Sequence, residues 1–462
     1  MLGGTLALAQ QRPRLHPIRR DYFAGKFLLI PPDARPTSLQ MPRLVARLAD
    51  HDVLLPPVDL LGDVARAGEP DRLIEWARHV DYGDLDGVIV SLEMILRGGL
   101  RGTAPDEATI ARRLDLLNWI RLRGRALPIY AIVGGDPKTS SIAFDLIAAG
   151  KIDFALICRD ESHGEGQTLE DEIARRKLTG RVTITPGADA AAQLLMARLL
   201  GRRFGFVPKL WIGTSASPQS AALAPMLLAQ IRALNGRALP GTPDSASQSD
   251  VVLFVHAAGT EPEGLARLIE SVAAAAAKGF RVALVDLSDT AASREALFAE
   301  VRRRKLLDQL VAYSAAVPAE SASGSALARA VSRLMTMKFL RDDVDRLQRA
   351  DRTQVELMLG RAVMELSYPM VIRPKLEGFL REQLKVDPMQ LGSARDRAEA
   401  FARDEVSRVA EELFKEQFLR NSHLILLSTG ERADIVVFCY DPATESIEVR
   451  QTIVGGKVVY EA

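Results

Sequence analysis

The chain has 462 residues, 47% hydrophobic and 26% charged, which leaves room for two or three domains, each with its own core. Lys+Arg 60 against Asp+Glu 59 gives a net charge of +1, so no basic excess draws nucleic acid or an anionic membrane, and aromatics at 5% are too few for a base-stacking surface. The two cysteines, Cys158 and Cys439, make neither a disulfide framework nor a zinc site, and the six histidines show no HxH or HExxH spacing.

The opening residues 1–25 read as a tail. Leu2–Ala9 (LGGTLALA) has the small residues of a signal cleavage region, but the apolar stretch is short and no basic segment precedes it. A cytoplasmic protein is expected, or an exported one if the start is incomplete. No later run reaches the length of a membrane span; Ala273–Ala277 sits within an amphipathic helix.

From residue 26 to about 315, short apolar β-branched runs alternate with helical periods. The strand candidates are Lys26–Ile30, Val53–Leu55, Gly87–Ser91, Pro128–Val133, Phe154–Cys158, Val182–Thr185, Lys209–Gly213, Val251–His256, Val282–Asp286 and Gln309–Tyr313. Leu39–Ala49, Asp106–Arg123, Asp189–Leu200 and Ala221–Leu234 carry helical spacing. Unbroken apolar strands mean burial on both faces, so the expected fold is α/β: parallel sheets flanked by helices, in two Rossmann-like lobes. Breaks rich in Pro, Gly and Ser at Arg237–Ser249 and Pro318–Ser325 divide the chain into lobes 26–236 and 250–326. Residues 327–420 are helical, with charges read as solvated faces, and 421–462 return to short strands with a hairpin turn at Gly455–Gly456.

In the first lobe, strands end in carboxylate-bearing loops, and in a parallel sheet these ends share one ligand-binding edge. Asp33 and Arg35, in the stiff loop Pro31–Pro36, offer a carboxylate and a guanidinium fork, with helix capping by Asp33 as the competing reading. Pro56–Pro57 can wall the same crevice. Glu93 follows the third strand, and Gly98–Gly99 allow close backbone approach to a ligand without the spacing of a nucleotide cradle. Asp160, Glu161 and His163 form the densest polar cluster. With Asp189 they are the set for a divalent cation such as Mg²⁺, should one be bound, although no dedicated metal motif is present. Asp189 also stands where the next helix wants an N-cap, and Asp286 repeats the strand-then-acid pattern beyond His256.

PPDARP (31–36), VSLEM with RGGL (90–100), RDE (159–161) and PGAD (186–189), followed by VDLSD and the Tyr313 segment, resemble a bacterial family known as domain of unknown function 4127, over roughly residues 26–330. The resemblance implies an α/β fold with a shared site at the strand ends, and no particular reaction. By that resemblance Glu93 stands where an aspartate is usual, Ala34 and Glu161 each replace one acid of a pair, and SAAVPAESASGS after Tyr313 lacks a Gly-Trp-Asn-Thr stretch.

The function expected from these residues is a hydrolase for a small polar substrate such as a sugar or glycoside. Asp160 and Asp189 serve as the catalytic carboxylates, and Asp33, Arg35, Glu93, Gly98, Gly99, Glu161, His163 and Asp286 bind substrate. The other reading is a non-catalytic protein that binds the same kind of ligand after losing site residues. A small molecule is the expected partner, without nucleic acid or membrane.

Overall fold

The computed structural model describes residues 23–63, 66–99, 101–124, 126–159, 166–215, 219–315 and 319–418, and the backbone of three strands within 435–461. Two parallel sheets form the body. The first contains β1 (Gly25–Ile30), β2 (His51–Leu54), β3 (Gly87–Ser91), β4 (Ile129–Gly134), β5 (Phe154–Arg159) and β6 (Val182–Pro186), in the order β2-β1-β3-β4-β5-β6. Its crossovers carry α1 (Pro36–Arg47), α2 (Pro70–Arg78), α3 (Leu92–Arg97), α4 (Glu107–Arg123), α5 (Pro137–Ala148) and α6 (Gly166–Arg175), and α7 (Ala191–Arg203) follows β6.

The second sheet contains β7 (Lys209–Thr214), β8 (Arg237–Ala238), β9 (Val251–Ala257), β10 (Val282–Leu287) and β11 (Ala312–Ser314), ordered β11-β10-β9-β7-β8, with α8 (Ser220–Ala233), α9 (Pro243–Ala246), α10 (Pro262–Ala277) and α11 (Ala291–Arg303) between them. The strand candidates all appear, though the last, expected at Gln309–Tyr313, is shorter and shifted to Ala312–Ser314. Composition misplaces the division between sheets. The stretch 237–249 lies inside the second sheet, because β7 pairs with β9 across it, and the chain changes sheets between β6 and β7.

Both sheets are buried on two faces, and the alternation of side chains sorts the core. Leu28, Ile30, Val88, Val90, Ala131 and Val133 face the layer containing α2, α3, α4 and α5. Phe27, Leu29, Ile89 and Ile132 face the other way, onto α1 and α7. Leu253, Val255, Ala283 and Val285 of the second sheet join that same core through α8 and α12 (Ala319–Phe339). The supposed break at Pro318–Ser325 therefore runs into α12, whose Ser321, Ser323 and Ser325 are buried. Small residues bring these inner helices close: a Cβ on Gly324 would lie 2.6 Å from the Ala190 Cβ.

The outer face of the second sheet, with Phe254, Leu284 and Tyr313, is covered by α10, α11, α13 (Val344–Arg361) and α15 (Arg395–Gln417). Beyond α13 the helix continues through a π-wound stretch, Ala362–Ile372, then α14 (Arg373–Gly378) and a second π-wound stretch, Phe379–Gln383. Strands β12 (Ile435–Asp441), β13 (Ser446–Val454) and β14 (Lys457–Glu461) make an antiparallel sheet, and Gly455–Gly456 between the last two lie outside the described residues.

Candidate functional site

In the first sheet the chain passes from β1 to β2 on one side and then to β3 on the other. The loops after β1 and β3 therefore diverge and leave a crevice, the usual ligand position in an open α/β sheet. A cleft of about 250 Å³ opens there, lined by Asp33, Arg35, Gly62, Asp63, Gly99 and Arg101, with Pro32 and Gly98. The glycines are required by the backbone. Gly98 and Gly99 have φ +80° and +95°, and a Cβ on Gly98 would sit 2.5 Å from Gly68 O. Gly62 packs equally closely on Gly68, and the chain is tied there by Gly68 N donating to Gly98 O (2.8 Å) and Ala34 N to Gly62 O (2.8 Å).

Asp33 does not cap α1. Its Oδ1 accepts from Arg35 N at 2.9 Å, and its Oδ2 from Arg35 Nε and Nη2 at 2.8 Å each. Asp189 overturns its expected role as well. The N-cap position of α7 is Ala190, without a side-chain cap, and the Asp189 carboxylate reaches Arg35 Nη2 at 2.8 Å. Arg35 is thus clamped between two carboxylates that follow β1 and β6, four positions apart in the sheet. The Asp33 hydrogen bond, then the charges of Asp33 and Asp189, hold its guanidinium above the ordinary range against the opposing effect of burial.

Glu93 does not line the cleft. It lies in the first turn of α3, 2% exposed, and its Oε1 accepts from Gly134 N at 2.7 Å. Burial raises its carboxyl above the usual range, opposed by its own amide and that of Gly134. Cys158, behind it, has its thiol pushed up by burial and by the Glu93 and Asp189 charges; it is a small buried apolar residue and no nucleophile.

The structure therefore unites Asp33, Arg35, Gly98, Gly99 and Asp189, and sets Glu93 beneath them. Asp286 belongs elsewhere: it is the penultimate residue of β10 in the second sheet, 3.0 Å from His256 Nδ1. Asp160, Glu161 and His163 lie outside the described residues. Among the described residues no three His, Cys, Asp or Glu side chains converge as metal ligands. Pro56 and Pro57 do not line the cleft. Asp63 and Arg101 are absent from the sequence expectations; the signal is their place close after Gly62 and Gly98–Gly99, in the segments that follow β2 and α3. Sequence reading also misreads Arg329, Arg361 and Glu365 as solvated. Glu365 is paired with Arg361 (2.6 Å) and accepts from Ala315 N (2.7 Å), and Arg329, fully buried, donates to Tyr313 O at 2.8 Å. Burial, and then the neighbouring Arg361, lower the Arg329 guanidinium to about 9.

No helix among the described residues is long and apolar enough to cross a membrane. None of the curated proteins matches the chain. The family model described as protein of unknown function (DUF4127) matches residues 27–133 and 137–439, nearly the whole span from β1 to β12. The chain belongs to the DUF4127 family.

Proposed function

We propose that the chain binds a small polyhydroxylated molecule, a sugar or glycoside, in the cleft at the ends of β1 and β3. The observation that carries this reading is the composition of the lining: two carboxylates, Asp33 and Asp63, two guanidiniums, Arg35 and Arg101, and the backbone of Gly62, Gly98 and Gly99. Hydroxyl groups donate and accept at once, so a mixed lining of balanced charge satisfies them where a simple anion or cation would meet repulsion. Calorimetric titration with a panel of monosaccharides and aryl glycosides tests it. Saturable binding, weakened at least tenfold by Arg35→Ala, is expected; absence of binding across the panel, or unchanged affinity in Arg35→Ala, overturns it.

Hydrolysis is the second reading, favoured by one observation. Asp33 and Asp189 both contact the same Arg35 Nη2 at 2.8 Å, so their contacting oxygens lie within twice that distance of each other, a range that includes the separation of about 5–5.5 Å used by retaining glycosidases. In this reading Asp189 keeps the catalytic role read from the sequence, and Asp33 is its partner. Release of aryl alcohol from a bound glycoside, lost in Asp189→Asn with binding retained, supports turnover. Binding without product from any glycoside supports the non-catalytic alternative.

A further inference from the structure

The carboxyl edge of the second sheet gathers polar atoms that have nothing to bond. β9 carries His256 near its end, β10 carries Asp286 with Ser288 just beyond, and β11 carries Tyr313. The parallel register places His256 beside Asp286, and Tyr313 beside Leu284, two residues before Asp286. Residues two apart on a strand share a face, so imidazole, carboxylate and phenol stand together. His256 Nδ1 lies 3.0 Å from Asp286 Oδ1, which also accepts from Ser288 N at 2.9 Å. In a neutral ring this pairing puts the proton on Nδ1 and leaves Nε2 as an acceptor.

His256 Nε2, Asp286 Oδ2, Ser288 Oγ, Tyr313 Oη and Arg294 Nε are all buried without a hydrogen-bond partner. His256 and Tyr313 have no exposed surface at all. Buried polar atoms in folded proteins are nearly always bonded, and of the 22 such orphans among the described residues these five gather around three adjacent strand ends and the start of α11, where one partner from outside the chain can meet them together. Arg294 Nη2 donates to Ser288 O at 3.0 Å, and Glu365 is held by Arg361. Burial, then Asp286 and Glu365, keep the Tyr313 phenol protonated, so it remains available as a donor. Acceptors (Asp286 Oδ2, His256 Nε2), a donor (Arg294 Nε) and two hydroxyls that do either are what a neutral polyol matches, and no third His, Cys, Asp or Glu among the described residues completes a metal set.

We propose that this edge is a second ligand site, closed in this structure, which takes a neutral polyhydroxylated molecule when the loop 288–290 lifts from Asp286. It is separate from the cleft of the first sheet and stands whether or not that cleft binds sugar.

Thermal unfolding in millimolar myo-inositol, with glycerol as a second probe, tests it on the full chain. The wild type is expected to show a saturable rise of about 1–2 °C in Tm. Tyr313→Phe, which removes an orphan hydroxyl, is expected to melt at the same or a higher temperature without polyol and to lose the saturable rise. Ser288→Ala is expected to do the same. Three results overturn the proposal. They are no saturable response in the wild type, an undiminished response in both Tyr313→Phe and Ser288→Ala, and a lower Tm of both variants without polyol.

Discussion

The two parallel sheets present their carboxyl edges in opposite ways. At the first edge, glycine backbone keeps a cleft open, and the charged groups on its walls are visibly partnered, with Arg35 held by Asp33 and Asp189. At the second, His256, Asp286 and Tyr313 are sealed from solvent, and several polar atoms lack partners. The contrast teaches that strand-end carboxylates alone do not mark a pocket. What differs is the crossover: small residues with positive φ hold the first edge apart, while the second is closed over by α11 and by the helix that carries Glu365.

The strongest way to break this contrast is at the sealed edge. Glu365→Ala leaves Arg361 without its carboxylate and removes the acceptor for Ala315 N, and is expected to cost about 3–5 kcal/mol, read from chemical denaturation. Next comes the open edge, through its backbone. Gly98→Ala forces a side chain into φ +80° and onto Gly68 O, with an expected loss of about 2–3 kcal/mol and closure of the cleft to any ligand. Arg35→Ala should cost stability less, about 1–2 kcal/mol, because the guanidinium is partly solvated, while removing ligand affinity; equal loss in Arg35→Lys would show that the planar fork is needed.

The smallest effect is a matter of sign. The Glu93 carboxyl is raised in the folded state, so folding takes up a proton there, and stability falls as pH climbs from the unfolded value near 4.5 through the raised one. Glu93→Gln keeps an acceptor for Gly134 N and removes that penalty. Its Tm relative to wild type is expected to rise toward pH 8 and to vanish as an advantage near pH 4. A variant that is less stable at pH 8 would mean that the charged carboxylate is welcome in that position.

The strand cadence was legible because a strand buried on both faces must be apolar at consecutive positions, as in GVIVS of β3. Which sheet each strand joins was not, since β7 looks no different from β6 and its partner β9 lies beyond a polar stretch. Asp33, Arg35 and the glycine pair could be read from their loop, where they act locally. Asp189 read as a helix cap because its real partner, Arg35, is over a hundred and fifty residues away in sequence. Arg361 and Glu365 fall among the charges read as solvated faces, because i, i+4 spacing is equally satisfied by a solvated ion pair and by one buried against a strand end.

The inner layer has a consequence for how the molecule can be taken apart. Helices α7 and α12 give Leu195 and Leu327 to a single core shared by both sheets, so neither sheet has a private interior on that side. A fragment ending near residue 205 would expose a flank of alanine and leucine meant for α12, and is expected to aggregate, whereas the whole chain should melt in one transition through this body. Recombination between family members is then better attempted by exchanging strand-end loops than by joining halves.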